Sequence, residues 1–166
     1  MTDLQSISGR RPLAFLAFGS VAALTAAAAA TTSLTLGLAP WAMFIGWVAW
    51  FTRPLSARQG LATWLCLACG LALGAVAVLA LRILGPSLGA VSLGVVVFVV
   101  ALAVVSMRAV RLLDNIPAWF LGLIAFFAAH LEPALASVAE LAAGMAIGLG
   151  GGWLSQRLQG RWSIGH

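Results

Sequence analysis

Charge is what this sequence has least of. Only 8% of its 166 residues are charged and 63% are hydrophobic, with a mean hydropathy of +1.08. Soluble domains usually carry about 25% charged residues, so the composition excludes that class and indicates an integral membrane protein. Lysine is absent, and the nine basic residues are all arginines. They stand singly or in pairs beside apolar runs, as membrane flanks do, and no basic stripe indicates a nucleic-acid partner.

Residues that support catalysis are equally scarce. The sequence contains no nucleophile triad, no phosphate-binding loop and no metal-spaced cluster. Cys66 and Cys69 fall on one helical face, but no other Cys or His lies near them in sequence. We expect both thiols to pack as small apolar groups, and His130 to be a solvated interfacial residue. The sequence therefore predicts a protein that is not an enzyme and that has no cofactor and no metal.

Four apolar runs approach or exceed the roughly 20 residues that cross a bilayer: 13–38, 61–84, 88–107 and 133–154. The first is longer than the 7–15 apolar residues of a secretory leader, so we expect a retained helix. Two aromatic segments, 40–51 and 116–129, are shorter. They are either thin crossings or re-entrant half-helices. Asp114 or Asn115 is placed to cap the helix that begins at Ile116, with Pro117 in its first turn.

Arginine positions distinguish these two alternatives. If both short segments cross and the N-terminus is cytoplasmic, only Arg82 lies outside, in agreement with the positive-inside rule. The remaining eight then fall on the cytoplasmic side: Arg10, Arg11, Arg53, Arg58, Arg108, Arg111, Arg157 and Arg161. The sequence therefore predicts a multi-pass protein of the bacterial inner membrane with six crossings and both termini in the cytoplasm.

The two aromatic segments form part of an internal repeat. A shift of 76 residues places "WAMFIGWVAWF" on "PAWFLGLIAFF" and Gly46 on Gly122. A shift of 74 aligns the helices that follow, although the first helix of each half aligns poorly. Because a three-crossing repeat is odd, its second copy enters from the opposite side. We predict an all-α membrane fold of two inverted three-helix repeats, 13–84 and 85–157, with short second and fifth helices and tails at 1–12 and 158–166.

In inverted-repeat transporters, short segments at matching positions mark the solute site. The candidates for a pore or solute path are therefore the aromatic segments and the one acidic residue inside the last run: Phe44, Gly46, Trp47, Phe51, Phe120, Gly122, Phe127 and Glu140. Two alternatives remain open for the rings, which are interfacial anchoring and packing between helices. Glu140 either forms an ion pair with Arg82 or lines a vestibule or gate. Two GxxxG motifs predict close helix packing: Gly70 with Gly74, and Gly144 with Gly148.

The chain resembles the YcdZ-like bacterial inner-membrane proteins, the family of domain of unknown function 1097. The resemblance rests on "PWAMFIGWVAWF" with the basic linker after it, and on "IPAWFLGLIAFFA" before a glycine-rich last helix that ends near Trp153. It covers about 13–154 and implies a small polytopic membrane protein, with no catalytic or binding residues to transfer.

We expect a channel or facilitator for a small, uncharged solute that works as a homo-oligomer in lipid. One alternative is a secondary transporter that couples to protons through Glu140. The other is a membrane scaffold or accessory protein that transports nothing.

Overall fold

The computed structural model describes residues 4–53 and 56–163, and within these ranges the chain is helical, without strands. Six α-helices follow one another, with a 3₁₀ turn at Met107–Ala109 between the fourth and fifth. They are α1 (Leu4–Thr35), α2 (Pro40–Trp50), α3 (Ala57–Leu88), α4 (Val91–Ser106), α5 (Ile116–Ala129) and α6 (Leu135–Ser163). The all-helical fold with short second and fifth helices is therefore confirmed.

Four of the helices are long and apolar enough to cross a membrane. These are α1, α3, α4 with its 3₁₀ turn, and α6, the same four that the apolar runs predict. At about 1.5 Å per residue, α2 and α5 are shorter than the roughly 30 Å of hydrocarbon in a bilayer. The predicted boundary at 84/85 lies inside α3, which continues through Pro86 to Leu88. Of the predicted tails, 4–12 and 158–163 are helical, and 1–3 and 164–166 lie outside the described residues.

Local sequence explains where the helices begin and end. Asn115, rather than Asp114, caps α5: its side-chain oxygen accepts a hydrogen bond from the Ala118 backbone N–H at 3.3 Å. Ser56 caps α3 in the same way through the Gln59 N–H at 3.2 Å. Gly89, with a φ of +52°, makes the turn that separates α3 from α4. Each short helix also carries a proline in its first turn, where the missing N–H costs nothing.

The core is formed by two parallel helix pairs, α2 with α6 and α3 with α5, which pack together more extensively than any other helices of the described chain. At each crossing a glycine of the short helix meets the backbone of the long one. A Cβ on Gly46 would overlap the Met145 carbonyl oxygen, and a Cβ on Gly122 would overlap that of Leu67. Small residues let helices approach in this way in membranes, where packing replaces the hydrophobic effect between helices. Helices α1 and α4 lie at the periphery and are largely exposed.

Side-chain contacts define two ends of the bundle. At the first, here called the arginine end, Trp50 Nε1 donates to Gln156 Oε1 at 3.2 Å and joins the end of α2 to that of α6. The linkers that bear Arg53 and Arg111 meet at this end. At the opposite end, the Arg82 guanidinium on α3 pairs with the Glu132 carboxylate before α6 at 2.8 Å. The linkers that join α2 to α3 and α4 to α5 therefore lie on one side of the bundle.

Candidate functional site

An open cavity of about 780 Å³ lies at the arginine end, between the starts of α3 and α5 and the linkers that precede them. We call it the polar cavity. Most of the surface that lines it is polar, in contrast to the apolar faces of the helices. Its lining is Thr52, Arg53, Arg58, Gln59, Ala62, Arg111, Leu112, Asp114, Asn115 and Pro117.

A hydrogen-bonded cluster underlies this cavity, and Asn115 is its centre. The Asn115 side-chain nitrogen donates to Thr52 Oγ1 at 2.8 Å and to Thr63 Oγ1 at 3.0 Å. Thr52 is the second residue after α2, Thr63 lies in the second turn of α3, and Asn115 caps α5. Asn115 and Thr63 are both buried, and a buried polar group left without partners is costly. The cluster therefore fixes the three helix ends relative to one another.

The charge around the cavity is positive. The Arg53 guanidinium pairs with the Asp114 carboxylate across the two linkers, and it donates to Gln59 Oε1 at 2.8 Å. Arg58 and Arg111 are exposed and form no ion pair with any described residue. Three arginines and one aspartate leave the lining with a net charge of +2. An uncharged solute finds hydrogen-bonding groups here, whereas a cation is repelled.

The aromatic rings proposed for a solute path lie elsewhere. Phe44, Phe51, Phe120 and Phe127 are exposed on the surface of the bundle, where Phe51 has the largest exposed fraction, 53%. Trp47 is half-buried and packs over Gly151 of α6. Gly46 and Gly122 are buried at the helix crossings. In the isolated chain these rings therefore do not surround a common channel, because the face of each short helix that carries the glycine is the one turned inward.

The predicted ion pair between Arg82 and Glu140 is not formed. Arg82 donates to both Glu132 carboxylate oxygens, at 2.8 and 3.1 Å. This bidentate pairing holds the pKa of the Glu132 carboxyl below its ordinary value. Glu140 lies in the second turn of α6, is exposed and has no ion-pair partner among the described residues. The loop residue Glu132 reaches Arg82, whereas Glu140 points away from the bundle.

The four GxxxG glycines lie at the two helix crossings. Gly70 faces the Trp119 backbone, and Gly74 faces Phe126. Gly148 lies against the Met43 backbone, and Gly144 lies beside the start of α2. In each of the two helix pairs, the long helix thus presents its GxxxG face to the short one.

Both cysteines are free thiols, Cys66 buried and Cys69 half-buried. The Cys66 thiol donates a weak hydrogen bond to the Leu112 carbonyl oxygen, at 3.8 Å from the sulfur. His130 is exposed and ends α5 in a left-handed conformation, with a φ of 51°. Across 4–53 and 56–163, no three His, Cys, Asp or Glu side chains are grouped as a metal site would require.

Sequence reasoning missed most of the polar cavity. It identified Asn115 only as a helix cap, and it gave no role to Thr52 or Thr63. The available signal was the presence of polar residues at matching depth: Thr52 and Asn115 each border a short helix, and Thr63 follows the capped start of α3. The sequence alone does not show that these three residues meet, because their contact depends on how the helices pack.

A family model described as "Protein of unknown function (DUF1097)" matches residues 19–158. The match covers most of the chain, and the protein belongs to this family, which confirms the family resemblance of the aromatic segments. No curated protein and no solved structure matched the chain.

Proposed function

We propose that this member of the DUF1097 family is an inner-membrane channel or facilitator for a small, uncharged solute, with the polar cavity as its cytoplasmic mouth. One observation carries the proposal: the end of α2 and the start of α5 are hydrogen-bonded to each other beside this cavity, through Thr52 and Asn115. In inverted-repeat transporters the solute site forms where the short, matching segments of the two halves meet. Amide and hydroxyl groups at such a site bind an uncharged solute by hydrogen bonds.

The helix contacts support two inverted repeats with six crossings. Exchanging the halves converts the α2–α6 pair into the α5–α3 pair, and both pairs are closely packed. It also converts Gly46, at the contact between α2 and α6, into Gly122, at the contact between α3 and α5. Two short helices that both cross would place the N-terminus of α1 and the C-terminus of α6 on one side of the membrane.

Cysteine labelling tests this topology. In a Cys66→Ser/Cys69→Ser background, Ser56→Cys at the arginine end should react only with a reagent that reaches the cytoplasm. Ser87→Cys, in the last turn of α3 at the opposite end, is the matched control and should react only from outside. Both serines are exposed. A re-entrant α2 would reverse the two results, so labelling of Ser56→Cys from outside would contradict the six-crossing model.

Flux into proteoliposomes tests transport directly. The probes are urea, glycerol and formamide, followed by light scattering with and without a pH gradient. Thr52→Val retains the shape of the side chain and removes the hydroxyl at the junction, so it should lower the rate for any solute that passes. Ser137→Ala, at the opposite end in α6, is the control and should leave the rate unchanged. Failure of the protein to pass any solute would favour the scaffold alternative.

Glu140→Gln separates a channel from a proton-coupled transporter. In the channel, flux should not depend on this carboxylate or on the pH gradient. A transporter that couples through Glu140 should lose its gradient-driven flux. The exposed position of Glu140, away from the polar cavity, favours the channel. The proposal assigns no enzymatic step to the protein.

The same residue supports a homo-oligomer. A carboxylate on the exposed surface of a membrane helix is costly in lipid, and such residues usually face a bundle interior or an aqueous cavity. Association of copies through this face of α6 would remove Glu140 from lipid. Small neighbours on the face, Ala136 and Ala143, are also exposed and would allow close approach. Disulfide trapping of Ala143→Cys in a Cys66→Ser/Cys69→Ser background should yield a covalent dimer, and a persistent monomer would contradict this assembly.

A further inference from the structure

The lining of the polar cavity contains three arginines and only one acidic residue, Asp114. Asp114 pairs with Arg53, so Arg58 and Arg111 in the lining have no ion-pair partner among the described residues. They come from different segments, since Arg58 is in the first turn of α3 and Arg111 lies in the linker before α5. Packing does not require either side chain, because both are exposed. Two uncompensated guanidinium groups therefore converge on one open space.

The helices that border the cavity add to its positive potential. Both α3 and α5 begin here, and the first N–H groups of a helix are unsatisfied and carry a partial positive charge. At α3, Ser56 satisfies only the Gln59 N–H through its side chain. At α5, the Ile116 N–H donates to the Asp114 carbonyl, Pro117 has no N–H and the Ala118 N–H donates to Asn115, so α5 contributes its dipole but no free N–H group. Helix N-termini add to the field, but the arginines and the cavity between them define the position of a ligand.

We propose that the polar cavity binds a phosphate-bearing anion, held between Arg58 and Arg111. Guanidinium groups donate two parallel hydrogen bonds to phosphate oxygens, and a phosphate presents oxygens to several arginines at once. A volume of about 780 Å³ exceeds that of a bare carboxylate or halide and accommodates a phosphate with its attached group. The ligand has two possible sources, the headgroup of an anionic phospholipid or a soluble phosphate. This binding requires no solute flux, so it stands or fails separately from the transport proposal.

The test uses the full chain purified in dodecyl maltoside, which contains no phosphate. One arm titrates inorganic phosphate against sodium chloride at matched ionic strength. The other titrates short-chain phosphatidylglycerol against diacylglycerol, which lacks the phosphate. Thermal unfolding is followed by the fluorescence of the seven tryptophans, and native mass spectrometry counts the retained adducts. A ligand that binds only the folded state raises Tm in a saturable manner.

The expected result is a saturable rise in Tm with at least one phosphate compound and none with its control. Arg58→Gln/Arg111→Gln should raise the half-saturating concentration roughly 100-fold, about tenfold for each arginine whose charge-assisted hydrogen bonds to the phosphate are removed. Arg108→Gln removes the same charge from the 3₁₀ turn, outside the cavity lining, and should bind like the parent protein. A response to phosphatidylglycerol alone identifies a lipid site, and a response to inorganic phosphate identifies a soluble ligand.

Two results would overturn the inference. One is the absence of saturable binding in both arms. The other is an equal loss of binding in Arg108→Gln and in the double variant, because the effect would then be general charge attraction at the membrane surface. Folding of the double variant is checked by its Tm without ligand, which should match that of the parent because both arginines are exposed. The single variant Arg58→Gln, with an expected change of about tenfold, provides a second and milder measurement.

Discussion

The α2–α6 pair and the α3–α5 pair use the same packing device in different chemical surroundings. Each places a glycine of the short helix, Gly46 or Gly122, against a carbonyl group of the long helix. Among the described residues, a buried polar cluster accompanies the α3–α5 pair alone, and in it Asn115 donates to Thr63 and to Thr52 beyond the end of α2. The comparison teaches that close approach and polar chemistry are separate features, and that the second belongs to one of the two helix pairs.

The repeat shows what stands in place of this cluster at the opposite end of the bundle. The shift of 76 places Asn115 on Ala39 and Thr52 on Ala128, and the shift of 74 places Thr63 on Ser137. Of these three counterparts, only Ser137 has a side-chain polar group. The same helical framework therefore carries a polar cluster at the arginine end, whereas two of the three matching positions at the opposite end are alanines. A solute path past both sets of residues would be asymmetric.

The largest expected effect tests the glycine contact that both helix pairs share. Gly46→Ala and Gly122→Ala should each lower the free energy of unfolding by about 3 kcal/mol, because the new methyl group overlaps backbone atoms that cannot rotate away. Unfolding in mixed SDS micelles measures both. Gly150→Ala, on α6 where nothing lies within 4 Å of the new Cβ, is the control and should be neutral or slightly stabilising. Tolerance of one substitution but not the other would show that the two crossings are not equivalent.

The second prediction concerns the polar cluster itself. Asn115→Ala should cost about 2 kcal/mol, since it removes the cap of α5 and the donor to two threonine hydroxyls. Asn115→Asp keeps an oxygen for the Ala118 N–H and should cost about half as much. The same micelle titration reports both values. Equal losses would mean that the cap contributes nothing and that the cluster alone is stabilising.

A smaller effect compares corresponding positions in the two halves. Thr63→Val should cost about 1 kcal/mol, because its buried hydroxyl accepts a hydrogen bond from Asn115. Ser137→Ala should change stability little, since Ser137 is only half-buried and its hydroxyl is not hydrogen-bonded within the described chain. If the serine change proved as costly as the threonine change, a second stabilising polar cluster would be present at the opposite end.

The smallest effect concerns the opposite end. Arg82 holds the pKa of Glu132 below its ordinary value by donating two hydrogen bonds. The pair therefore adds stability above the unfolded pKa of about 4.3, and this contribution is lost as the pH falls through the lower folded value. The Tm of the parent should exceed that of Glu132→Gln slightly at pH 7, and the difference should vanish at low pH. Because the pair is exposed, the difference is near the limit of detection. A difference that grew on acidification would contradict the assignment.

Much of the architecture is predictable from the sequence, and the reason is local. Apolar length marked α1, α3, α4 and α6, and short aromatic runs marked α2 and α5. Asn115 and Pro117 identified the start of α5 because a cap satisfies its own neighbouring N–H groups. One of the two alternatives for Glu140, an ion pair with Arg82, is not formed, because Arg82 pairs with Glu132. The sequence indicates how deep Glu140 lies along its helix, but the direction in which its side chain points depends on how α6 is rotated in the bundle.

The sequence by itself determined that this is a helical membrane protein, that four of its helices are long and two are short, and how its arginines are distributed. Those properties depend on solvation and on neighbours within a few residues. Only the tertiary structure decided that Asn115 meets Thr52 and Thr63, which are 63 and 52 residues away along the chain. It also decided that the aromatic rings face outward. Contacts of this kind depend on how each helix is rotated against its partner, and close packing at the glycine crossings sets that rotation.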